Sequence, residues 1–582
     1  MRISIIIIVF ICINLLFSCS EEFDLTPDTQ IAESPSLFQN EAGLNTFVNG
    51  FYNYLDVGKI LDDFNSDNME HISTPPAIRS SNYVLPTALG SGGWNWSQLR
   101  NINYFIQNVN EHTEDINLKN KYLGYAKFFR ALFYFDKVKS FGDVPWYSSP
   151  LSTTDDELLY KERDSRVVVM DSVLNDINFA VQHLEPVKSK NKITKWTALA
   201  LKSRITLFEG TWRKYHEEAN LPNADTFLKE CIDASKELID ANVYSLYNTG
   251  NLETDYAEMF QLSSAPTDEI ILARSSTQLF LYYTPNFTST SNGNYGATFS
   301  LISDYPMING ESYYHHYNDE IYQMEYFDEF IDRDYRLKQS VVFPGYIRIG
   351  TDTEVVNDFA QNRTGYQVTK RVGPPIEDQG SDDRDVILIR YAEILLNYAE
   401  ARAVLNEITQ EDIDLTLNAI RARAGIDSKL ELPFNTDALQ IERYTRTKDP
   451  IVLEICRERR IELAFEGFRK DDLLRWKEGH LFRSEYEGIY IKGYNEYIDL
   501  NGDNNPDLYV LRPEDTEPSN KISGVQYFRL SSVNGLSEGD YGRLVPYDRE
   551  KQSFKDWEYL NPIPLEELTL NENLKQNPGW ER

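Results

Sequence analysis

The feature that most constrains the fold is a helical spacing of apolar residues that recurs along the chain. Between residues 121 and 139 the apolar side chains follow one another at steps of four, three and four, as Tyr122, Ala126, Phe129 and Phe133. Such steps place side chains on one face of an α-helix. The same spacing predicts further helices over 194–209, 225–241, 385–406, 412–424 and 450–466. The sequence therefore predicts a mainly α-helical protein.

The predicted helices are paired across short connections and carry Ala at close-contact positions, which is typical of a helical-hairpin scaffold of the tetratricopeptide type. A regular repeat of about 34 residues is not visible, so we expect degenerate repeats. Over 266–385 and 483–552 the chain is instead rich in Tyr, Asn, Ser, Thr and Gly. We predict that these stretches form long irregular loops with short strands over the scaffold, where binding surfaces are usually found.

The first residues resemble an export signal. An apolar run over 3–17 follows one basic residue and is shorter than the roughly twenty residues of a membrane span. The run ends in Leu-Phe-Ser-Cys, which resembles a bacterial lipobox. We therefore predict a signal peptide over 1–18 and lipid attachment at Cys19. The alternative is an ordinary secretory signal with an incidental cysteine.

The segment after Cys19 bears on where the protein is displayed. Glu21, Glu22 and Asp24 resemble the acidic surface-export signal of Bacteroidetes lipoproteins. No later apolar run is long enough to cross a bilayer. We therefore expect a protein that is held at the outer membrane by its lipid and faces the outside of the cell.

Charge excludes several classes of partner. Lys and Arg number 58 against 91 Asp and Glu, which gives a formal net charge of −33. Nucleic-acid binding depends on Lys and Arg that release counterions from phosphates, so neither DNA nor RNA is expected as a partner. A basic patch that docks on anionic lipid is equally unexpected. Because 41% of residues are apolar and 13% are aromatic, the chain is not a disordered one.

Seven motifs, taken in order along the chain, resemble the SusD/RagB family of outer-membrane nutrient-binding lipoproteins. They are Arg-Ala-Leu-Phe-Tyr-Phe-Asp at 130–136 with Phe-Gly-Asp-Val-Pro-Trp at 141–146, Lys-Ile-Thr-Lys-Trp-Thr-Ala-Leu-Ala-Leu at 192–201, Asp-Tyr-Pro-Met-Ile-Asn-Gly at 304–310, Arg-Asp at 333–334 with Phe-Pro-Gly at 343–345, Ile-Arg-Tyr-Ala-Glu-Ile-Leu-Leu-Asn-Tyr-Ala-Glu-Ala at 389–401, Glu-Arg-Arg-Ile-Glu-Leu-Ala-Phe-Glu-Gly-Phe-Arg at 458–469 with Asp-Leu-Leu-Arg-Trp at 472–476, and Asn-Pro-Ile-Pro at 561–564 with Gln-Asn-Pro-Gly-Trp at 576–580.

The resemblance implies an organisation and a role. It divides the mature chain into a helical N-terminal region over 19–260 and a C-terminal region with loop-rich insertions over 261–582. It implies a surface lipoprotein that captures a glycan or related nutrient and delivers it to a SusC-like TonB-dependent transporter. It also implies that the protein is not an enzyme. The rival hypotheses are a surface glycoside hydrolase and a helical-repeat scaffold that binds no ligand.

A dense run of charge over 454–472 has two interpretations. Glycosidases use a pair of carboxyl groups, one of them with a raised pKa. On a helix, however, Glu454 with Arg457 and Arg459 with Glu462 are spaced at i, i+3 and would neutralise each other. We therefore predict a structural ion-pair network here.

The sequence offers little for metal ions. Its 7 histidines show no zinc-binding spacing, and we expect Cys231 and Cys456 to be small core residues. One run, 499–507, alternates oxygen-bearing side chains that would suit a single calcium ion. These side chains are Asp499, Asn501, Asp503, Asn505 and Asp507. The alternative is an Asx-rich turn that binds no metal.

The segment Ser-Gly-Gly-Trp-Asn-Trp at 91–96 is the predicted glycan platform. Aromatic faces stack on the C–H faces of sugar rings, and two Trp residues in a Gly-rich loop have little helical core in which to bury. The alternative is that Trp94 or Trp96 packs inward. Polar partners are expected from the preceding loop and further aromatics from the middle loop. These candidates are Asp67, Arg79, Asn82, Tyr282, Tyr283 and Tyr295.

Overall fold

The structure is a computed structural model that describes residues 35–71, 75–275, 295–360, 362–376, 384–531, 534–547 and 552–581. The described α-helices are, in chain order, α1 Glu41–Phe51, α2 Ala77–Ser80, α3 Ser97–His112, α4 Ile116–Phe141, α5 Asp156–Leu159, α6 Arg166–His183, α7 Lys195–Tyr215, α8 Ala224–Asp240, α9 Asp255–Gln261, α10 Phe299–Ile302, α11 Tyr313–Tyr317, α12 Tyr335–Lys338, α13 Tyr391–Val404, α14 Gln410–Leu415, α15 Leu417–Arg423, α16 Ala438–Arg443, α17 Pro450–Glu462, α18 Arg469–Arg475 and α19 Leu565–Leu570. Short 3₁₀ helices cover Pro35–Phe38, Tyr52–Tyr54, Gly58–Asn65, Glu217–Ala219, Asn318–Gln323, Asp328–Phe330, Gly479–Arg483 and Asp556–Tyr559.

Consecutive long helices pack as hairpins. Helix α3 packs on α4, α6 packs on both α4 and α7, and α8 packs on α7. Their apolar faces merge into one large core that extends from Phe38 to Leu574. The prediction of a mainly helical, tetratricopeptide-like scaffold is confirmed.

Local sequence fixes where the long helices begin and end. Asp115 caps α4 by accepting backbone N–H groups of its first turn, and Thr194 caps α7 in the same way. Helix α4 ends at Gly142, whose φ of 72° is a conformation that favours glycine. Pro450 stands in the first turn of α17, directly after the capping Asp449. The end of α4 forms one of the walls described below.

Two of the predicted helices differ in the structure. Residues 386–390 form a strand, and only Tyr391–Val404 are helical. The apolar run at 386–389 is mostly β-branched and pairs with the strand Ile270–Arg274. The helix predicted over 412–424 is broken at Thr416, whose φ of −115° and ψ of −84° separate α14 from α15.

The described strands are short and lie mainly in the second half of the chain. They are β1 Met69–His71, β2 Ile270–Arg274, β3 Tyr295–Ala297, β4 Val386–Arg390, β5 Tyr490–Ile491, β6 Tyr497–Ile498, β7 Leu508–Leu511, β8 Gln526–Arg529, β9 Gly535–Leu536 and β10 Gly542–Val545. β1 pairs with β3 and β2 with β4, while β5-β10-β9 and β6-β7-β8 form three-stranded sheets. Only β7 and β8 pair in parallel among these strands. A second apolar core lies under the sheets.

The predicted ion-pair network is confirmed, and it is buried. Burial alone would raise the pKa of Glu462, but the guanidiniums of Arg423, Arg390 and Arg336 hold it well below its usual range. Arg390 Nη1 lies 2.6 Å from Glu462 Oε1, and Arg336 Nη1 lies 2.8 Å from Glu462 Oε2. Because each charge has partners, the network satisfies groups that would otherwise be costly to bury.

The pairing within the network was predicted only in part. Arg457 lies 2.5 Å from Glu454, as the i, i+3 spacing indicated. Arg459 instead forms an ion pair with Asp472, in which Nε lies 2.8 Å from Oδ2. Its predicted pairing with Glu462 is therefore wrong. Tertiary contact with α18 outweighs the local spacing at this position.

Two further expectations concern burial and the membrane. Cys231 and Cys456 are free thiols in the core, 0% and 1% exposed, which confirms their prediction as small core residues. Among the helices that the structure describes, none combines the length and the apolar composition that a bilayer-spanning segment requires.

Candidate functional site

A groove of about 590 Å³ lies at the end of the helical scaffold. We call it the central groove. Its walls come from residues 56–65, residues 77–93, the end of α4, the start of α18 and residues 558–580. Concave sites of this size with mixed apolar and polar walls are where small ligands bind.

The C-terminal wall is fixed to α4 by polar contacts. Asn561 donates its backbone N–H to the Ser140 carbonyl at 2.6 Å. The Asn577 side-chain amide donates to the carbonyls of Phe141, at 3.1 Å, and Asn561, at 2.7 Å. These bonds hold the C-terminal wall against α4, although Phe141 and Asn577 are 436 residues apart in the sequence.

The Gly-rich wall needs its glycines. Gly92 has a φ of 58°, and a Cβ at this position would stand 2.7 Å from the Pro86 ring. Gly90 donates its backbone N–H to the Glu567 carboxylate at 2.8 Å, which ties this loop to α19. A substituted loop would therefore change the shape of the groove.

The groove has an apolar and aromatic side. Tyr83, Ile78, Pro86 and Trp580 line it, as does Val84, which is 90% exposed. An exposed apolar side chain that borders a concave site offers surface for the apolar part of a ligand. This side of the groove suits the C–H faces of a sugar.

Lysines and carboxylates form the polar side of the groove. Lys139 Nζ lies 2.5 Å from Asp471 Oδ2 and 3.4 Å from Asp136 Oδ1. Burial lowers the pKa of Lys139, but Asp471 and Asp136 more than offset this and raise it above its usual value. Lys139 therefore stays charged and holds these two carboxylates in place.

Lys137 separates the groove from a smaller chamber of about 370 Å³. It is 8% exposed, and its ammonium donates to the Gly93 carbonyl. The ammonium also lies 5.6 Å from the centroid of the Trp96 ring. Burial lowers the pKa of Lys137 to about 8. The two chambers share Lys137 and Asp136, so one ligand can contact both.

The two tryptophans of the predicted platform do not form one exposed surface. Trp94 is 2% exposed and packs edge-to-face on Phe141 at 4.8 Å, so its prediction as an exposed sugar platform is wrong. Trp96 is half-buried and occupies the N-cap position of α3. Its ring centroid lies 5.7 Å from that of Phe133. Phe141 and Phe133 of α4 therefore hold the two tryptophans against the helical scaffold.

The predicted polar partners of the platform are also largely internal. Asp67 is 1% exposed and lies between Arg469 Nε, at 2.7 Å, and Arg460 Nη2, at 3.1 Å, which hold its pKa well below the usual range despite burial. Arg79 is 2% exposed, bonds Glu70 and lies 3.5 Å from the Tyr486 ring centroid. Neither side chain is available to a ligand, so both predictions are wrong.

Asn82 and the predicted tyrosines have different outcomes. Asn82 is exposed, next to the groove residue Tyr83. Tyr295 is half-buried in β3, where its ring lies 4.8 Å from the His71 ring, and burial raises its pKa. Tyr282 and Tyr283 lie outside the described residues, as does Cys19.

The oxygen-rich run at 499–507 is folded around its own backbone. Asp499 Oδ1 accepts the N–H of Gly502 at 2.7 Å, and its Oδ2 accepts the N–H of Asn504 at 2.7 Å. Asp507 Oδ2 accepts the N–H of Leu500 at 2.8 Å. Among the described residues, which include this run, no three or more His, Cys, Asp or Glu are placed to hold a metal ion. The geometry favours the Asx-rich turn over the calcium site.

Sequence reasoning missed most of the groove. Tyr83, Lys137, Lys470, Glu558 and Trp580 line it, yet they come from four distant segments. The motif at 576–580 contributes to the family resemblance but does not by itself indicate a groove residue. No local signal shows that its tryptophan meets Tyr83, since that contact exists only in the folded chain.

Comparisons with known proteins agree with this fold. The profile described as "SusD family" matches residues 236–580, and the profile "Starch-binding associating with outer membrane" matches 34–215. A SusD-like protein, P38, from Formosa agariphila is 24% identical over 503 residues, covering 81% of this chain and 91% of that protein.

Solved structures show the same architecture. A SusD-like protein from Bacteroides fragilis superposes with a TM-score of 0.67 at 21% identity, over 95% of this chain and 99% of that one. A SusD-like carbohydrate binding protein from the same species superposes with a TM-score of 0.67 at 21% identity, over 93% of this chain and 100% of that one. These two likenesses concern the fold. Because the first profile covers more than half of the chain, this protein belongs to the SusD family.

Proposed function

We propose that this protein binds a glycan in the central groove and delivers it to a TonB-dependent transporter of SusC type. It would act at the cell surface, anchored in the outer membrane by a lipid on Cys19. The observation that carries the proposal is the groove itself, which is lined by apolar and aromatic side chains together with lysines and carboxylates on a SusD-family fold. Apolar faces with a few convergent polar groups are what sugar rings require.

The carboxylates of the groove support binding rather than hydrolysis. Asp136 and Asp471 both lie at Lys139, and Glu558 is bound by Arg483. A glycosidase needs one carboxyl that stays protonated at neutral pH, and a neighbouring cation acts against this. We therefore propose that the protein has no glycosidase activity.

Ligand binding is tested with soluble protein that begins at Ser20. The protein is applied to a glycan array and then run in affinity gels that contain each polysaccharide it recognises. Binding to at least one glycan, without release of reducing ends, is the expected result. Failure to bind any glycan, or steady release of reducing ends, would contradict the proposal.

A pair of variants places the binding in the groove. Lys470→Ala with Asn561→Ala removes two groove side chains, and retardation in the gel should fall. Lys229→Ala with Asn117→Ala makes the same changes at exposed helix positions and should bind as wild type. Equal retardation by both double variants would place the ligand elsewhere.

The anchor and the transporter are tested in cells. Cys19→Ala should abolish incorporation of a clickable fatty acid and release the protein from the membrane fraction. Replacing Glu21, Glu22 and Asp24 by Ala should keep the lipid but reduce cleavage by external protease. Crosslinking of the tagged wild type should recover a TonB-dependent transporter that mass spectrometry identifies. Recovery of the protein without any such transporter would contradict the delivery role.

A further inference from the structure

A second chamber of about 560 Å³ lies beside the central groove. Tyr83, Glu558 and Trp580 line both the chamber and the groove. Trp557, Lys555 and Ser553 complete the part of the chamber that matters here. The groove and the chamber therefore adjoin at these three shared side chains.

Three aromatic rings meet at the shared wall, and we call them the aromatic corner. The Tyr83 centroid lies 5.6 Å from Trp557 and 5.1 Å from Trp580, while the two tryptophans are 4.4 Å apart. Their planes cross at 65°, 89° and 78°. An edge-to-face contact covers only one face of a ring. Three rings at nearly right angles therefore leave faces that can line a concave space.

The three rings differ in their availability. Trp580 is 7% exposed and donates its indole N–H to the Leu560 carbonyl at 2.8 Å, so it fixes the corner. Tyr83 and Trp557 are half-buried and keep accessible surface. Trp557 lines the second chamber and is absent from the lining of the groove. It is the residue that distinguishes the two spaces.

In the second chamber the carboxylate is paired with a cation, and an ammonium lies at the exposed edge. The Glu558 carboxylate is bound by Arg483 and accepts the backbone N–H of Lys555 at 2.6 Å. Lys555 Nζ donates to Ser553 Oγ at 2.6 Å, and both side chains are exposed. Hydroxyl and ammonium groups at the rim, with aromatic faces inside, match a sugar that offers hydroxyls and a C–H face.

We propose that the aromatic corner is a second sugar-binding subsite, and that the ligand is an oligosaccharide chain long enough to occupy the groove and the corner together. This rests on the proposed glycan binding. Two subsites on one chain raise affinity only for ligands that span both, since the second contact is then intramolecular. Affinity therefore rises with chain length and stops rising once the corner is filled.

The test uses an array of uncharged oligosaccharides of glucose, mannose, galactose and xylose, each printed as a series from one to eight units. For the series that binds, affinity of wild type should rise with length. Trp557→Ala should lose at least about fivefold for the longest members and little for the shortest. Trp557→Phe should recover part of the loss because it restores an aromatic face. Tyr322→Ala removes an aromatic residue that is 39% exposed and borders neither space, and should bind as wild type.

A second variant guards against a folding effect of Trp557→Ala. Ser553→Phe fills the chamber from an exposed position and leaves the three rings in place. It should reduce affinity for long chains in the same way, with an unchanged thermal melt. If wild type binds no series, this inference fails, and the glycan array and affinity gels described above decide the proposed glycan binding separately. If wild type binds but affinity is the same at all lengths, or both variants bind long chains as wild type does, only the second subsite is refuted.

Discussion

Lys139 Nζ lies 2.5 Å from Asp471 Oδ2 and joins the last turn of α4 to the first turn of α18 at the base of the central groove. The lysine side chain is 12% exposed and the aspartate 35%. Lys139 belongs to the long scaffold helix α4, and Asp471 belongs to the wall that α18 contributes to the groove. Its loss would affect stability and the shape of the site together.

The first prediction concerns this pair. Asp471→Asn removes one of the two carboxylates paired with the largely buried Lys139 ammonium. The free energy of unfolding should therefore fall by about 1–2 kcal/mol. This is less than the cost of breaking a fully buried pair, because Asp471 is partly exposed to solvent. Asp240→Asn breaks the exposed pair with Lys236 in α8, and should cost no more than about 0.5 kcal/mol. Denaturant unfolding measures both. Equal costs would show that the groove pair contributes no more than a surface pair.

The second prediction concerns the pH dependence of stability. Burial raises the pKa of Asp63 to about 7, which outweighs the nearby Lys370 and the backbone amides of Phe465, Gly467 and Arg469. In the unfolded chain the pKa of this carboxyl is near its ordinary value of 3.8. Between these values the native state binds more protons than the unfolded state. Stability therefore falls as pH rises toward 7, by roughly 2 kcal/mol from pH 5 to pH 8 for this group.

Asp63→Asn removes that titration, so the variant should gain stability relative to wild type at pH 8 and show little difference at pH 5. Asp225→Asn makes the same change at an exposed position in the first turn of α8. Urea unfolding at four pH values from 5 to 8 gives the comparison. Parallel curves for Asp63→Asn and wild type would show that Asp63 is ionised throughout this range.

The third prediction concerns Trp94. Its ring is 2% exposed against Phe141 and Trp96. Trp94→Ala should lower the free energy of unfolding by about 3–5 kcal/mol, the usual cost of removing a large core side chain. Tyr322→Ala, at a position that is 39% exposed, should cost about 1 kcal/mol or less. A thermal melt of Trp94→Ala close to that of wild type would mean that the ring is exposed in solution.

The fourth prediction concerns calcium. The carboxylates of Asp499 and Asp507 are occupied by backbone N–H groups of their own turn. A metal that binds only the native state stabilises it by RT ln(1 + [L]/Kd) and so raises the melting temperature. Addition of CaCl₂ or of EDTA should therefore shift the melting temperature by less than about 1 °C. A rise of several degrees with calcium, lost in Asp499→Asn, would restore the calcium hypothesis.

Sequence predicts the scaffold well because its signal is local. The spacing of Tyr122, Ala126, Phe129 and Phe133 is enough to define α4, and all four side chains are buried. The strand at 386–390 was missed because its apolar run continues into α13 without a break in hydrophobicity, and only its pairing with β2 distinguishes it.

The site is harder to predict because its geometry is non-local. Asp67 and Arg79 have the polar groups that a sugar site needs. In the structure, however, Asp67 is buried in an ion pair with Arg469, and Arg79 is buried in an ion pair with Glu70. The rings of Trp580 and Tyr83 are in contact, although nearly the whole length of the sequence separates them. Residue type alone does not indicate whether such a group faces a ligand or another side chain.

The bonds from Asp67 to Arg460 and Arg469 have a consequence for biosynthesis. The aspartate is synthesised about 400 residues before its partners are. Until Arg460 and Arg469 are made, burying Asp67 would leave a lone carboxylate in a low-dielectric interior, which is costly. A translation product truncated before these arginines would therefore leave the surroundings of Asp67 unpacked and open to proteases.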